Sequence, residues 1–509
     1  MVFSSWLARD VWRILLTRPP MPSLRTLAAA IVLAVSGAAA VPAQDGVPRT
    51  LTADEARRDF DTLRQALEEA HGALYRFVPK GELDRRFDAH RRRLDRPMPR
   101  NEVLGVLREM LAEVGDGHAS VDLDDQTVAA LAAAPLMPIR TVIEGDRMII
   151  VSNDTPNDTL LRPGMEVTSV NGRTPSQILA VLLPKISRDG FIETGRRSRV
   201  GRVLSNQYHL FVDQSPTYAI TAADAAGRSV SVTLPGVTDA ARAKNVNAVN
   251  ASYRAAFARI DAPVENISLR HVGDGIAVLR VRSFSGERFP AQLDSVVVAA
   301  VDAGTRAMIL DLRGNGGGVD EFGALLVSKF RSSPFRYFDH IHLTTIKPSF
   351  ATWKPSTFDN TRDGTVPDPR GGYLVTTRLH PGVGEQQPAP KPFLGPLVVL
   401  MDGATFSTAA DVTAALRSQG RATFIGEETG GAYEGNTSGL NAQIMLPASG
   451  FKSKIQMYGY VNAVKPAGSG RGTIPDHVVP RTTSDILRGV DEGIAKAIEI
   501  LTATKPPSR

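Results

Sequence analysis

The 509-residue chain contains no cysteine. That absence excludes disulfide staples, thiolate metal sites, iron–sulfur ligation and a cysteine nucleophile together, so any chemistry must use oxygen or nitrogen groups. Aromatic residues are scarce at 6%, but 42% hydrophobic and 22% charged residues are the balance of a globular chain, not of a disordered or fibrous one. Past residue 43 no apolar run is long enough for a bilayer span, which excludes a polytopic membrane protein. The formal charge of +6 carries no polyanion-binding pattern. Half of it comes from Arg9, Arg13, Arg18 and Arg25 against Asp10, and the densest later run, Arg85, Arg86 and Arg91 to Arg93, is interleaved with Asp84, Asp88 and Asp95. This is a solvated helix face, and nucleic acid is not expected as a partner.

From Met21 the sequence runs through Arg25, an apolar core from Leu27 to Val35, and small residues up to Val41-Pro42-Ala43. This pattern predicts a secretory signal peptide over residues 1–43, cleaved after Ala43, with Met21 a candidate true start. Its apolar part is broken by Ser36, Gly37 and Pro42, which disfavours a retained anchor. Without cysteine there is no lipoprotein anchor. A periplasmic or secreted protein, with no integral span after cleavage, is therefore expected.

Thr52 and Glu55 form a capping-box pattern before Phe60, Leu63 and Leu67 at helical spacing, and two further helices are predicted over 82–93 and 101–113. Residues 50–114 thus read as a small helical domain. Residues 115–271 read as a β-rich module, with strand runs at 141–143, 148–151 and 166–170, an Asn171-Gly172 hairpin signal and further strands over 216–271. Residues 272–503 change to α/β grammar. Strands are predicted at 276–281, 307–312, 397–401 and 422–425, and helices at 291–301, 322–330, 408–418 and 488–501. The irregular stretch 347–396 has no assignment.

Two strand ends carry chemistry-bearing residues. Asp311-Leu312-Arg313-Gly314-Asn315-Gly316-Gly317-Gly318 is glycine-rich enough to turn successive backbone N–H groups toward one point, and such a nest binds an anion. It lacks the lysine and hydroxyl of a phosphate loop. Met401 to Ala410 places Ser407 at the start of a helix, where a hydroxyl meets the positive end of the helix dipole. Alone, such a serine is an N-cap. Together the two ends offer a nucleophile and oxyanion donors, and the missing element is a base. His118, in Gly115-Asp116-Gly117-His118-Ala119-Ser120, lies between the helical domain and the first strand; taken alone it is a surface histidine. His340 and His342 alternate on one strand but lack a third metal ligand nearby.

These segments resemble the serine peptidase family of the tail-specific (C-terminal processing) proteases, the tricorn core protease and the interphotoreceptor retinoid-binding proteins. The matching pieces are Gly115 to Ser120 (GDGHTS), Ile309 to Gly318 (IDLRGNGGG), Gly403 to Ala410 (TFSSAE), Gly426 to Gly431 (GEETGG) and Gly472 to Val479 (GIxPDxxV), in family order over about 365 residues. The resemblance implies Ser407 as the acylating nucleophile, an oxyanion hole from Thr408 and a glycine of Gly316 to Gly317, and a crotonase/Clp-protease-like α/β spiral core. Leu161 to Gly172 is similar to part of a PDZ domain, so a degenerate PDZ-like module is expected near 136–185. The family's Ser–Lys dyad is not supported, because no lysine occurs between Ser407 and Lys452. The tricorn-like branch takes its base from the GDGH-type motif, here His118. The tricorn serine before that histidine is Gly117, and Ser469 or Gly470 stands where its glutamate belongs. The group orienting His118 is therefore open, with Asp116 and Glu434 as candidates. Ala410 replaces the acid of TFSSAE, and Asp411 follows it. Asp311 and Arg313 are assigned to support of the glycine turn.

The expected whole is a multidomain α/β protein: an exported serine endopeptidase acting on a protein or peptide substrate through Ser407 and His118, with no metal or cofactor implied. The alternative is a non-catalytic protein that binds a hydrophobic ligand or peptide on the same fold. An acyl-CoA enzyme of crotonase type conflicts with export.

Overall fold

The computed structural model describes residues 50–244, 247–261, 265–351, 355–465 and 470–503. The export segment and Ser469 lie outside the described residues.

At the centre is a six-stranded sheet in the order 477–478, 423–426, 397–401, 307–311, 276–281, 267–273. All neighbours are parallel except Ile267–Gly273, which runs antiparallel to Ile276–Val281. Leu397–Met401 and Ala307–Asp311 are buried at every position, as unbroken apolar runs in a parallel sheet must be. Alternate side chains fill two cores. Met308, Leu310, Val399 and Met401 pack on one face with Val412 and Leu416 of helix Thr408–Ser418, while Ile309, Val398 and Leu400 pack on the other with Ile494, Ala497 and Leu501 of helix Glu492–Ala503. Register pairs Asp311 with Leu400, so the two functional strand ends open side by side on one edge of the sheet.

The helices at Ala53–Ala70, Lys80–Arg92 and Arg100–Ala112 do not stand apart as a separate helical domain. Phe60, Leu67, Leu107 and Met110 belong to the same hydrophobic cluster as Leu310, Val399 and Ile455 of the C-terminal α/β part. The capping box forms as expected, with Thr52 Oγ1 accepting from the Glu55 amide at 3.2 Å and Glu55 accepting from the Thr52 amide at 2.9 Å, an end worth about 1 kcal/mol. Strand Ser120–Asp122 then joins a second sheet by pairing with Lys452–Asn462.

The β-rich module is a five-stranded antiparallel meander, 139–144, 147–153, 166–170, 217–223 and 229–235, with a core of its own. Asn171-Gly172 does not join two long strands. It makes a tight turn that ends in a single bridge from Val170 to Arg173 and leads into helix Pro175–Leu182. Between strands 166–170 and 217–223 lies helix Glu193–Phe211, to which no sequence-based element is assigned. It packs through glycines: a Cβ on Gly195 would lie 2.8 Å from Gly430 Cα. Among the described residues of 216–271 the strands are 217–223, 229–235 and the start of 267–273, while Asp239–Lys244 and Ala251–Asp261 are helical. The closing helix predicted over 488–501 runs Glu492–Ala503, and a short helix not predicted, Thr483–Arg488, precedes it and ends where Gly489 turns at φ 74°. The stretch 347–396 supplies helix Pro355–Asp363 and strands Thr365–Pro367 and Tyr373–Val375 at the edge of the second sheet. Among the described residues no helix is long and apolar enough to cross a membrane.

Candidate active site

Strand Leu397–Met401 ends in the turn 402–406 and helix Thr408–Ser418 begins one residue later, leaving Ser407 at the junction with φ 54° and ψ −133°. A non-glycine residue pays conformational energy there, and it persists only because its surroundings fix it. They do. Asp402 Oδ1 accepts from the Ala404 amide at 2.9 Å and from the Gly314 amide at 3.0 Å, and Thr405 Oγ1 donates to the Leu312 carbonyl at 3.0 Å. The Phe406 amide donates to the Asn315 carbonyl at 3.0 Å. The serine turn and the glycine turn are thus laced into one unit.

Below that unit, Arg313 bridges Asp311 and Asp491 within the core, with Arg313 Nη2 at 2.7 Å and 2.8 Å from their Oδ2 atoms. Burial raises the Asp311 carboxyl, but Arg313 and Arg280 outweigh it and hold it well below the ordinary range. These residues brace the turn and do not reach its open side. Gly317, at φ 102°, has Ser407 directly against it: a Cβ would lie 2.6 Å from Ser407 Cβ and 3.1 Å from its Oγ. The Gly317 amide donates to Asn315 Oδ1 at 2.9 Å, whereas Gly316 lines the open space beside Ser407 and Thr408 starts its helix with an N–H that has no acceptor in the preceding turn.

His118 comes to this place from 289 residues away, with Nε2 at 3.2 Å from Ser407 Oγ. Its backbone is held on three sides. The His118 amide donates to Asp116 Oδ1 at 2.7 Å, its carbonyl accepts from Gln456 Nε2 at 2.9 Å, and the preceding Gly117 amide donates to Asp189 Oδ1 at 2.7 Å. Gly117 is required by crowding, since a Cβ would lie 2.7 Å from Asp189 Oδ1 and 2.9 Å from the Phe406 ring. The imidazole packs on Phe406 with centroids 4.5 Å apart. Among the described residues its Nδ1 has no hydrogen-bond partner and the nearest carboxylate is Asp116, with Oδ1 at 3.8 Å. Burial lowers the His118 pKa against the opposing pull of Asp116 and Asp189, which favours a neutral imidazole able to take a proton.

Of the two candidate orienting acids, Asp116 is therefore beside His118. Glu434 is elsewhere, accepting from the Gly470 amide at 3.4 Å. Asp411 also faces away and accepts from the side-chain amides of Asn436 and Asn462 at 2.9 Å each. His340 pairs with Asp339, and His342 meets the carbonyls of Gly72 and Gly371. Among the described residues, the group with metal-ligand spacing is Asp116, His118 and Asp189. Their carboxylates already accept from His71 and from the amides of His118, Gly117 and Ala432.

Four contributors have no sequence signal. Asp189 and Arg199 come from the meander's helical insert, and His71 sits at the end of the first helix. His380 comes from the unassigned stretch and lies 3.5 Å from Asp320, which also accepts from Tyr460 Oη at 2.7 Å. No local spacing links them to Ser407; only the fold does.

Residues 275–479 match the model of peptidase family S41. No curated protein matches the chain significantly. Among solved structures, mature CPAF matches at 16% identity with a TM-score of 0.59, over 88% of this chain and 96% of that one. Mature CPAF complexed with lactacystin matches at 16% identity with a TM-score of 0.62, over 89% and 98%. At this identity the structures establish a shared fold. The class defined by fold and family match is a serine-type peptidase. Within that class, residues 275–479 are what is similar to peptidase family S41, and they contain the glycine turn and Ser407.

Proposed function

We propose that the protein is an exported serine endopeptidase in which Ser407 forms the acyl-enzyme and His118 is the general base. The observation that carries this reading is the 3.2 Å approach of His118 Nε2 to Ser407 Oγ at a strained strand-to-helix turn facing the glycine loop. His118 takes the Ser407 proton as Oγ attacks the scissile carbonyl, and then gives it to the leaving amine; water repeats the sequence to release the acyl group. The amides of Gly316 and Thr408 stabilise the tetrahedral oxyanion, a contribution of about 2.7 to 4 kcal/mol per donor. Gly317, first considered as a donor, serves instead by having no side chain. Asp116 orients His118 electrostatically. Export rests on the signal pattern of residues 1–43, and the mature protein recovered from the cell exterior or periplasm should begin at Gln44.

The deciding experiment is labelling by a fluorophosphonate probe together with cleavage of a peptide mixture. Wild type should show both, and Ser407→Ala and His118→Ala neither. Labelling of Ser407→Ala would move the nucleophile elsewhere. An intact, folded wild type that neither labels nor cleaves would favour a binding protein on the same fold.

A further inference from the structure

Two cavities meet at His118 and Gly316, one on either side of the nucleophile. The cavity of about 480 Å3 contains Ser407 and is lined by Asp320, Glu321, His380 and Tyr460. The other, about 470 Å3, lies behind Phe406 and has apolar walls and an excess of cations. Its lining includes Arg108, Lys185, Arg199 and Arg202 against one carboxylate, Asp122. Lys185 is neutralised by Glu109 at 2.6 Å. The three guanidinium groups are not paired in this way. Arg108 donates to the Val121 carbonyl and to Gln207 Oε1. Arg199 donates to the carbonyls of Gly117 and Ser187 and stacks over Phe406 at 4.2 Å. Arg202 is exposed on the same helix and makes no ion pair among the described residues. Asp116 and Asp189 lie behind this wall, on the backbone of the His118 turn, and are not part of the lining.

Arg108 and Arg199 are held by backbone carbonyls and an amide and keep their geometry without a carboxylate partner in direct contact, although Asp189 and Asp116 behind the wall offset part of the Arg199 charge. Burial accordingly lowers Arg108 to about 10, with only Asp122 opposing. A cavity built this way gains from an anion that enters and accepts their remaining hydrogens. We infer that the Arg108–Arg199–Arg202 cavity is a specificity subsite for an acidic side chain, Asp or Glu, placed within two residues of the scissile bond. The inference rests on the peptidase reading, because Phe406 and His118 tie the cavity to the nucleophile. A free chain-terminal carboxylate offers the same chemistry, so the test must separate the two.

Wild-type enzyme is incubated with a mixed library of short acetylated peptides, prepared in amidated and in free-acid forms, and cleavage sites are read by mass spectrometry. Asp and Glu should be enriched at one position near the cut. In matched Glu/Gln peptides, kcat/KM should favour Glu by roughly tenfold or more, the fold-change of one charge-assisted hydrogen bond. The preference should shrink at high salt because the cavity is open to solvent. Arg202→Glu should abolish it and Arg202→Lys should retain most of it; Arg202 is exposed, so neither variant endangers the fold. A Glu/Gln ratio near one in a wild type that takes the fluorophosphonate label overturns the subsite and leaves the peptidase reading standing. Cleavage confined to peptides with a free C-terminus also overturns it, and assigns the cations to the chain end. A wild type that takes no label defeats the peptidase reading itself.

Discussion

His71 Nε2 lies 2.9 Å from Oδ2 of Asp116, and the other oxygen of that carboxylate accepts the His118 amide. Because the Ala73 amide donates to His71 Nδ1 at 3.2 Å, Nε2 is the nitrogen that carries hydrogen toward Asp116. The carboxylate is therefore fixed from behind while its front faces the catalytic imidazole. Asp116→Asn should lower kcat by more than tenfold, bounded by the roughly 10⁴-fold that a general base supplies. His71→Gln, which can still donate, should cost less than His71→Leu. A purely structural role for Asp116 would move the melting temperature and leave the shape of the pH–rate profile alone; an orienting role shifts its acid limb.

The same carboxylate sets an acid limit on stability. Burial raises its pKa, but the His71 hydrogen bond and the neighbouring imidazoles outweigh that and bring it to about 2 from 3.8. A depressed carboxylate stabilises the fold fully above its unfolded pKa and loses that contribution as pH falls through the folded value. Asp116→Asn should thus be less stable than wild type near neutrality, with the difference shrinking as pH drops from about 4 toward 2. Urea midpoints across that range measure it.

His118 predicts the pH dependence of turnover. Burial depresses its pKa from 6.5, so the base form is already present at neutral pH. Activity, read as kcat/KM, should fall on the acid side with an apparent pKa below 6.5. An acid limb above that value would mean that another group titrates.

Strain at Ser407 predicts a difference between two inactive variants. Ser407→Ala keeps a Cβ at φ 54°, whereas Ser407→Gly relieves a conformation that costs about 1 to 3 kcal/mol. After the extra backbone entropy of glycine, about 0.5 to 1 kcal/mol, Ser407→Gly should remain the more stable by about 1 kcal/mol in urea unfolding.

Adjacent glycines should behave differently. Gly317→Ala places a methyl group 2.6 Å from Ser407 Cβ at φ 102° and should cost at least about a hundredfold in turnover, the scale of losing one oxyanion donor. Gly316→Ala meets no atom within 4 Å and keeps its amide, so its loss should be much smaller. Equal losses would point to general collapse of the loop.

The central parallel strands were legible because each is a mostly apolar run: Ile276–Val281, interrupted only by Arg280, and Leu397–Met401 match the sequence-based bounds. Helix Glu193–Phe211 was not. Its first two turns bury only Gly195 among charged residues, and the apolar spacing of Val200, Leu204 and Tyr208 starts late and is interrupted by the buried small residues Gly201 and Ser205. The same limit applied to the site. Ser407, His118 and the glycine loop sit in short motifs, whereas Asp189, Arg199 and His71 carry no local pattern and reach the site through tertiary packing alone. The donor role expected of Gly317 was misplaced for a related reason, since spacing cannot show that Asn315 occupies its amide.

The imidazole and the hydroxyl reach each other across 289 residues of chain, and the short strand after His118 is completed only by pairing with residues 452–454. Under the proposed assignment, a chain that has not yet made residues 452–454 therefore holds the nucleophile without its base correctly seated, and a fragment expressed as residues 272–503 alone would be born without its proton acceptor.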